Sequence, residues 1–199
     1  FGGGEEFDLQ VFDYDVSDGW IQVGSDFDGE GISGWSVAMS ADGTRVAIGA
    51  VADDASAFGY VRVFEWDSNT APWNQAGDDI DGEAEGDEFG RSIAMSADGN
   101  RIAIGAEHND GNGADSGHVR VFDWDSNTAT WNQAGDDIDG DAAGDLSGHS
   151  LAISADGNRI AIGARHNGGD RASKFYTSPR PRDVAECRNA AWARDGEAL

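Results

Sequence analysis

An all-β fold, built from repeated four-stranded antiparallel units, follows from three features of this 199-residue sequence. Residues 91–106, RSIAMSADGNRIAIGA, have near copies at residues 35–50 and 149–164. Within that stretch the apolar residues alternate: Ile93 and Met95, then Ile102 and Ile104, with Ala94 and Ala103 between them. That is a period of two, the period of a strand. The composition agrees, with 29 Gly, 3 Pro, 7 Trp and 9 Phe describing many turns and many aromatic anchors.

Taken in order, residues 7–15 (FDLQVFDYD) open with a strand that recurs at residues 60–67 and 118–125 as the third of each unit. Residues 20–24, 73–77 and 131–135 follow as the fourth, each anchored by its Trp: Trp20, Trp73 and Trp131. Acidic loops come next, at residues 26–34, 79–90 and 137–148. The stretch described first then supplies the first two strands of the following unit. These are joined through residues 96–100, whose Asp98-Gly99 step tolerates the positive φ of a tight hairpin. Ala94, Ala103, Gly105 and Ala106 are small enough to admit a neighbouring sheet at close range.

Ser40 and Ser96 stand 56 residues apart; Ser96 and Ser154, like Trp73 and Trp131, stand 58 apart. The two-residue difference falls in the loop after the second strand, residues 51–59 against 107–117, where insertions are tolerated. A unit of 50 to 60 residues and four strands is the length of a propeller blade, a sheet that buries its faces only against its neighbours. The expected architecture is therefore a β-propeller-like array of about three blades, twelve strands in all. Closed rings have four to eight blades, so an incomplete ring with exposed apolar end faces is expected.

The repeat stops at Asp170. Residues 171–199 hold 6 of the 13 basic residues, two of the three Pro, the only Lys and the only Cys. This irregular tail is expected to be a terminal extension or a misjoined coding segment, disordered or, over residues 183–199, a short helix. Domain organisation is thus residues 1–170 as the blade array and 171–199 as the tail. The sequence starts at Phe1 without Met, so its N-terminus and any targeting signal are expected to be missing.

The formal net charge is −25, and residues 1–170 carry 34 acidic against 7 basic residues. Such a surface repels nucleic acid and anionic membranes. No apolar run is long enough to span a bilayer, and a single Cys187 builds no internal disulfide. Two acidic patterns stand out. The first is Asp26-x-Asp28-Gly29-Glu30, Asp79-x-Asp81-Gly82-Glu83-x-Glu85 and Asp137-x-Asp139-Gly140-Asp141. Oxygen ligands at alternate positions beside a Gly suit a hard cation such as calcium, and equally suit a solvated acidic turn. The second, Glu65-x-Asp67-x-Asn69 and Asp123-x-Asp125-x-Asn127, is explained by Asx side chains bonding their own backbone. His108 and His166 occupy one repeat position in neighbouring units, so they form no metal pair. No nucleophile with an adjacent base and no phosphate-binding Gly loop can be assembled. Only Trp35, Arg91 and His149, just before the first strand, vary conspicuously between units.

Phe89-Gly90, then Ser92-Ile93-Ala94, Asp98-Gly99 and Ile102-Ala103-Ile104-Gly105-Ala106, resemble the FG-GAP repeat of integrin alpha-type β-propellers. The FG pair stands once, its counterparts being Ser33-Gly34 and Ser147-Gly148. The family's calcium loop, between the first two strands, keeps only Asp42, Asp98 or Asp156. The resemblance implies a non-enzymatic binding or adhesion module, extracellular or on the cell surface, with a protein or glycan ligand on residues 51–59 and 107–117 and a possible calcium requirement. Two alternatives stay open: a propeller hydrolase or lyase using the central channel, and a structural part completed by further blades or other chains.

Overall fold

The computed structural model describes residues 9–27, 33–51, 58–67 and 73–166, together with the strand Phe175–Thr177. Among them there is no helix, and fifteen strands form four antiparallel sheets. β1 (Phe12–Asp15) and β2 (Gly19–Gln22) make a hairpin. β3 (Ser33–Met39), β4 (Arg45–Ala50), β5 (Tyr60–Trp66) and β6 (Trp73–Gln75) pair in sequence order, and β7 (Ile80–Asp81) returns to pair with β5. β8 (Ser92–Met95), β9 (Arg101–Ala106), β10 (His118–Asp125) and β11 (Thr130–Gln133) repeat that order, with β12 (Ile138–Asp139) returning to β10. β13 (Ser147–Ile153), β14 (Arg159–Ala164) and β15 (Phe175–Thr177) form the last sheet. The architecture is that of β-propeller blades.

All twelve expected strands are present, and β7, β12 and β15 are additional. The first two lie in what reads as loop. β5 and β10 run past the ends of β6 and β11, leaving backbone groups unpaired; Ile80 opposite Val61 and Ile138 opposite Val119 close that edge. β15 lies inside the tail, paired to β14 at Arg159–Thr177, Ile160–Tyr176 and Ala161–Phe175. The remainder of residues 171–199, including the helix expected over 183–199, lies outside the described residues.

Alternation along β4 and β9 sends the two faces of each strand to two different cores. On β9, Ile102 and Ile104 join the cluster with Ala47, Val61, Val63 and Phe89, while Ala103 joins Val119, Val121, Ile160 and Ile162. On β4, Ala47 faces the first of these, while Val46 and Ile48 face Val11, Leu9 and Phe27. Every core is therefore an interface between sheets. The hydrophobic effect that folds one blade is available only when the next blade is in place.

The sheets meet at backbone distance along their inner strands. β8 packs against β3 and β4, and β13 against β8 and β9. The Ser36 hydroxyl donates to the Gly90 carbonyl at 2.6 Å, and the Ser92 hydroxyl to the Gly148 carbonyl at 2.5 Å. At Gly49 and Gly105 a Cβ would collide with those same carbonyl oxygens. Gly-Ala in the repeat is thus a contact requirement, which is why small residues end each second strand. The hairpin turns are linked too, Ala41 N–H to Ala97 O at 2.9 Å and Ala97 N–H to Ala155 O at 3.0 Å. Farther out, Trp73 Nε1 donates to Val23 O and Trp131 Nε1 to Ala76 O, each bridging to the preceding sheet. Gly105→Ala should lower stability by about 1–3 kcal/mol through overpacking, read as a shifted denaturant midpoint. An unchanged midpoint would contradict the close approach.

Within each hairpin turn the Asp holds the chain. Asp42 accepts from the Ser40 hydroxyl and from the Thr44 N–H; Asp98 and Asp156 do the same with Ser96 and Asn100, and with Ser154 and Asn158. The serine hydroxyl first, then the backbone N–H, depresses the Asp42 and Asp156 carboxyls from 3.8 to about 2. A carboxylate depressed on folding stabilises above its unfolded pKa and loses that contribution as pH falls through the folded one. The stability gap between the parent and Asp156→Asn should therefore close as pH drops from near 4 toward about 2. A gap independent of pH in chemical denaturation would refute the assignment.

Candidate functional site: an acidic cleft at the loop end of the second complete blade

Residues 82–90, which lead into β8, and residues 107–117, which join β9 to β10, enclose an open cleft of about 380 Å³ lined by Glu85, Gly86, Asp87, Glu88, His108, Asp110 and Asp115. The sequence builds the second loop from amide and acid side chains that substitute for regular backbone pairing. Asn109 donates to the buried Asp87 carboxylate at 2.7 Å and accepts from Gly111 N–H at 2.8 Å. Asp110 accepts from Asp115 N–H at 2.8 Å, and the Ser116 hydroxyl donates to Asn109 O at 3.2 Å. Asn112 reaches the following loop through Gly140 O and Asp141 O.

Glu88 and Asp115 hold φ of 56° and 53°. Leu146, at the repeat position of Glu88, has φ 54°. At Glu88 the conformation thus belongs to the turn that delivers Gly90 or Gly148 to the neighbouring sheet.

Beneath the cleft Glu107 is 2% exposed at its side chain and is engaged from two sides, by Arg91 Nε at 2.8 Å and His149 Nδ1 at 2.5 Å. Arg91 also meets Glu88 at 2.5 Å and lies over the Trp35 ring at 5.0 Å. The three positions that vary between units, Trp35, Arg91 and His149, are thereby strung through one contact chain across three sheets. His108 Nδ1 sits 2.9 Å from Asp115, with Nε2 3.8 and 3.9 Å from Glu88 and Glu107.

Among the described residues, two triads have ligand-type atoms within 4.8 Å of one another: Glu88, Glu107 and His108, and Glu83, His118 and Asp137. Each already holds a guanidinium. In the second, Arg120 Nε lies 3.7 Å from Glu83 and 3.9 Å from Asp137, stacked over Phe89 and Phe122. Burial lowers the His118 pKa, against the opposing pull of Asp137 and Glu83.

Of the acidic residues singled out in the sequence, Glu83 and Asp137 meet across two loops in the second triad, and none of the others among the described residues joins a triad. Asp26 accepts from Gln10 and Gln22. Asp79 is held by Arg62 at 2.9 Å and Gln75 at 2.7 Å, which depress its pKa, Arg62 foremost. Asp137 accepts from Gln133 at 2.6 Å. Asp81, Glu83, Asp139 and Asp141 are exposed, while Asp28 and Glu30 lie outside the described residues. No triad of ligand atoms comes from one such loop among the described residues. Asp125 makes the expected Asx turn, accepting from Asn127 N–H at 2.8 Å. One wall of the cleft is the loop 107–117 on which ligand contacts are expected from the sequence, and the other is the acidic loop before β8; what the sequence does not show is that the two meet. Asn109→Ala should cost about 1–3 kcal/mol by leaving buried Asp87 without its donor, with faster amide exchange at Gly111 and Gly117. Unchanged exchange would show that Asn109 does not organise the loop.

The chain carries an FG-GAP repeat, matched by that family's model at residues 80–122. The match runs from β7 through most of β10 and contains Phe89-Gly90. No curated protein matches the chain. Similar solved structures include a provisional 6-phosphogluconolactonase of Bacteroides fragilis, 14% identical over 66% of this chain and 33% of its own, with TM-score 0.46. The hydrazine synthase of Kuenenia stuttgartiensis is 12% identical over 79% of this chain and 49% of its own, TM-score 0.45. A second provisional 6-phosphogluconolactonase, from Bacteroides uniformis, is 10% identical over 88% of this chain and 64% of its own, TM-score 0.40. The chain thus spans less than two-thirds of each of these.

Proposed function

We propose that this protein is a non-enzymatic binding module of the FG-GAP propeller type, which receives a positively charged protein segment in the acidic cleft. The observation that carries this is five carboxylates, Glu85, Asp87, Glu88, Asp110 and Asp115, around one open cavity whose loops are fixed by their own hydrogen bonds. Fixed loops lose little entropy on binding, and converging carboxylates raise the local concentration of a cationic ligand. Calcium is the second occupant such a cleft suits, at the weak affinity of extracellular modules. An extracellular or cell-surface role accords with either. An enzyme working from the inner strands would rest on His149 and Glu107. Glu107 is buried and bound by Arg91 and His149.

Titration with a fluorescent Lys/Arg-rich peptide and its Glu-rich counterpart tests the reading. The basic peptide should bind, more weakly as salt rises. Glu85→Gln with Asp115→Asn should reduce affinity by about tenfold or more. Removing the same charge at Asp18 and Asp136 should change it little. Equal losses from both pairs would mean that net charge alone attracts the peptide and would sink the cleft. A rise in melting temperature with calcium, lost in the Asp110→Asn, Asp115→Asn variant, would assign the cleft to the cation instead.

A further inference from the structure

His118, at the head of β10, is 2% exposed, yet among the described residues its side chain makes no hydrogen bond. A buried ring nitrogen ordinarily has a partner. What faces the ring is a pair of acids: Asp137, whose Oδ2 stands 3.8 Å from Nδ1, and Glu83 of the loop before β8. One ligand-type atom from each of the three lies within 4.8 Å of the others. No side-chain nitrogen or oxygen of the described residues is both sealed from solvent and unpartnered. Both imidazole nitrogens therefore keep some contact with water, which gives the cluster an entry path. None of the three residues lines the acidic cleft.

The preceding repeat has a different arrangement at the same positions. Tyr60 stands where His118 does, and Arg62, lying over the Tyr60 ring at 4.7 Å, donates from Nε to both oxygens of Asp79 at 2.9 and 3.0 Å. The equivalent Arg120 is bonded elsewhere: its Nε and Nη2 donate to Gln133 Oε1 at 3.1 and 3.0 Å, and its Nη1 to Asp81 O at 3.2 Å. Glu83 and Asp137 are left 3.7 and 3.9 Å from its Nε, beyond hydrogen-bond reach. The two oxygens of Asp137 divide, Oδ1 accepting from Gln133 at 2.6 Å and Oδ2 facing His118. One repeat ties its acid to arginine, and the next sets an imidazole beside that acid instead.

We propose that Glu83, His118 and Asp137 form a binding site for a divalent transition-metal ion of the zinc class. An imidazole nitrogen with two carboxylate oxygens is a donor set that suits zinc, whereas calcium takes about six to eight oxygens. Ligand atoms about 2.0–2.2 Å from one zinc ion stand roughly 3.4 Å from one another in a tetrahedron. The 3.8 Å between Nδ1 and Oδ2 closes to that value with a small side-chain movement. Gln133 holds Asp137 from the other side, as outer partners orient metal-binding carboxylates. The net charge of −25 accommodates a dication beside Arg120. Three protein ligands leave the fourth position to water or to a donor atom of a bound molecule. The triad of Glu88, Glu107 and His108 is closed by comparison: Glu107 is taken by Arg91 at 2.8 Å and by His149, and His108 Nδ1 by Asp115 at 2.9 Å.

Calorimetric titration of the full chain with zinc chloride, in reducing buffer that contains calcium and magnesium, tests this. A saturable zinc site that calcium does not displace is expected, and imidazole nitrogen spectra should show the His118 ring shifting as that site fills. His118→Tyr installs the residue of the preceding repeat, so it should keep the circular dichroism of the parent while weakening zinc at least about tenfold. Glu83→Gln with Asp137→Asn should weaken it likewise, whereas His108→Gln should leave it unchanged. No saturable site in the parent, equal affinity in the parent and His118→Tyr, or displacement of zinc by calcium would overturn the proposal. Loss in His108→Gln with retention in His118→Tyr would overturn it in favour of the other triad.

Discussion

The structure depends on inner strands that touch backbone to backbone. A serine hydroxyl donates to a glycine carbonyl of the following sheet, Ser36 to Gly90 and Ser92 to Gly148, and the space beside that bond exists because Gly49 and Gly105 have no side chain. With the sheets fixed there, one layer of Val, Ile and Phe fills the gap outward. Trp73 and Trp131 set the spacing farther out, each indole bonded to the sheet before it. Because alternate residues of β4 and β9 belong to different cores, no sheet owns a core. Cooperativity between neighbours is a consequence of strand alternation itself.

The same constraint positions the acidic cleft. The turn with positive φ at Glu88 carries Gly90 to the close contact and, in doing so, turns the Glu88 side chain toward Arg91. Residues 107–117 are then anchored to that turn through Asn109 and Asp87. Chemistry varies where the backbone does not: Trp35, Arg91 and His149 share a repeat position, and the stacking of sheets brings them into one chain of contacts through Glu107. A position that changes from apolar to basic to titratable along an otherwise constant array is where a repeat protein acquires a site without altering its packing.

Period-two alternation and a spacing near 58 residues made the strands, their order and the stacked sheets legible in the sequence. β7 and β12 were not legible, because a single Ile80 or Ile138 among acids shows no alternation; the signal is the unpaired edge of another strand. The acidic loops suggested ligand sets within one loop. In the fold Asp79 turns to Arg62 on the neighbouring β5, and Asp137 to Gln133 on the neighbouring β11. Glu83 meets His118 and Asp137 from the next repeat. Contacts between repeats are invisible to local spacing, since nothing in one loop specifies which residue of the next unit it will face. The cleft was hidden for a different reason: its two walls are loops of one blade that stand about twenty residues apart, and local spacing does not show that they meet.

Residues 1–170 carry seven basic side chains, all Arg, and four of them, Arg45, Arg91, Arg101 and Arg120, reach across to a neighbouring sheet. Arg45 bonds Gly99 O and Asn100, and Arg101 bonds Gly157 O and Asp123, each tying one hairpin turn to the next sheet. Arg62, Arg91 and Arg120 neutralise acids at strand edges while lying over aromatic rings. A planar guanidinium serves both carboxylate and ring in a way that a Lys ammonium cannot. Partly buried pairs of this kind are screened little by salt, whereas the exposed carboxylates that remain repel one another through solvent and are screened strongly. Among the described residues those four Arg are therefore committed to seams between sheets, and most of the exposed carboxylates fall on loops and turns.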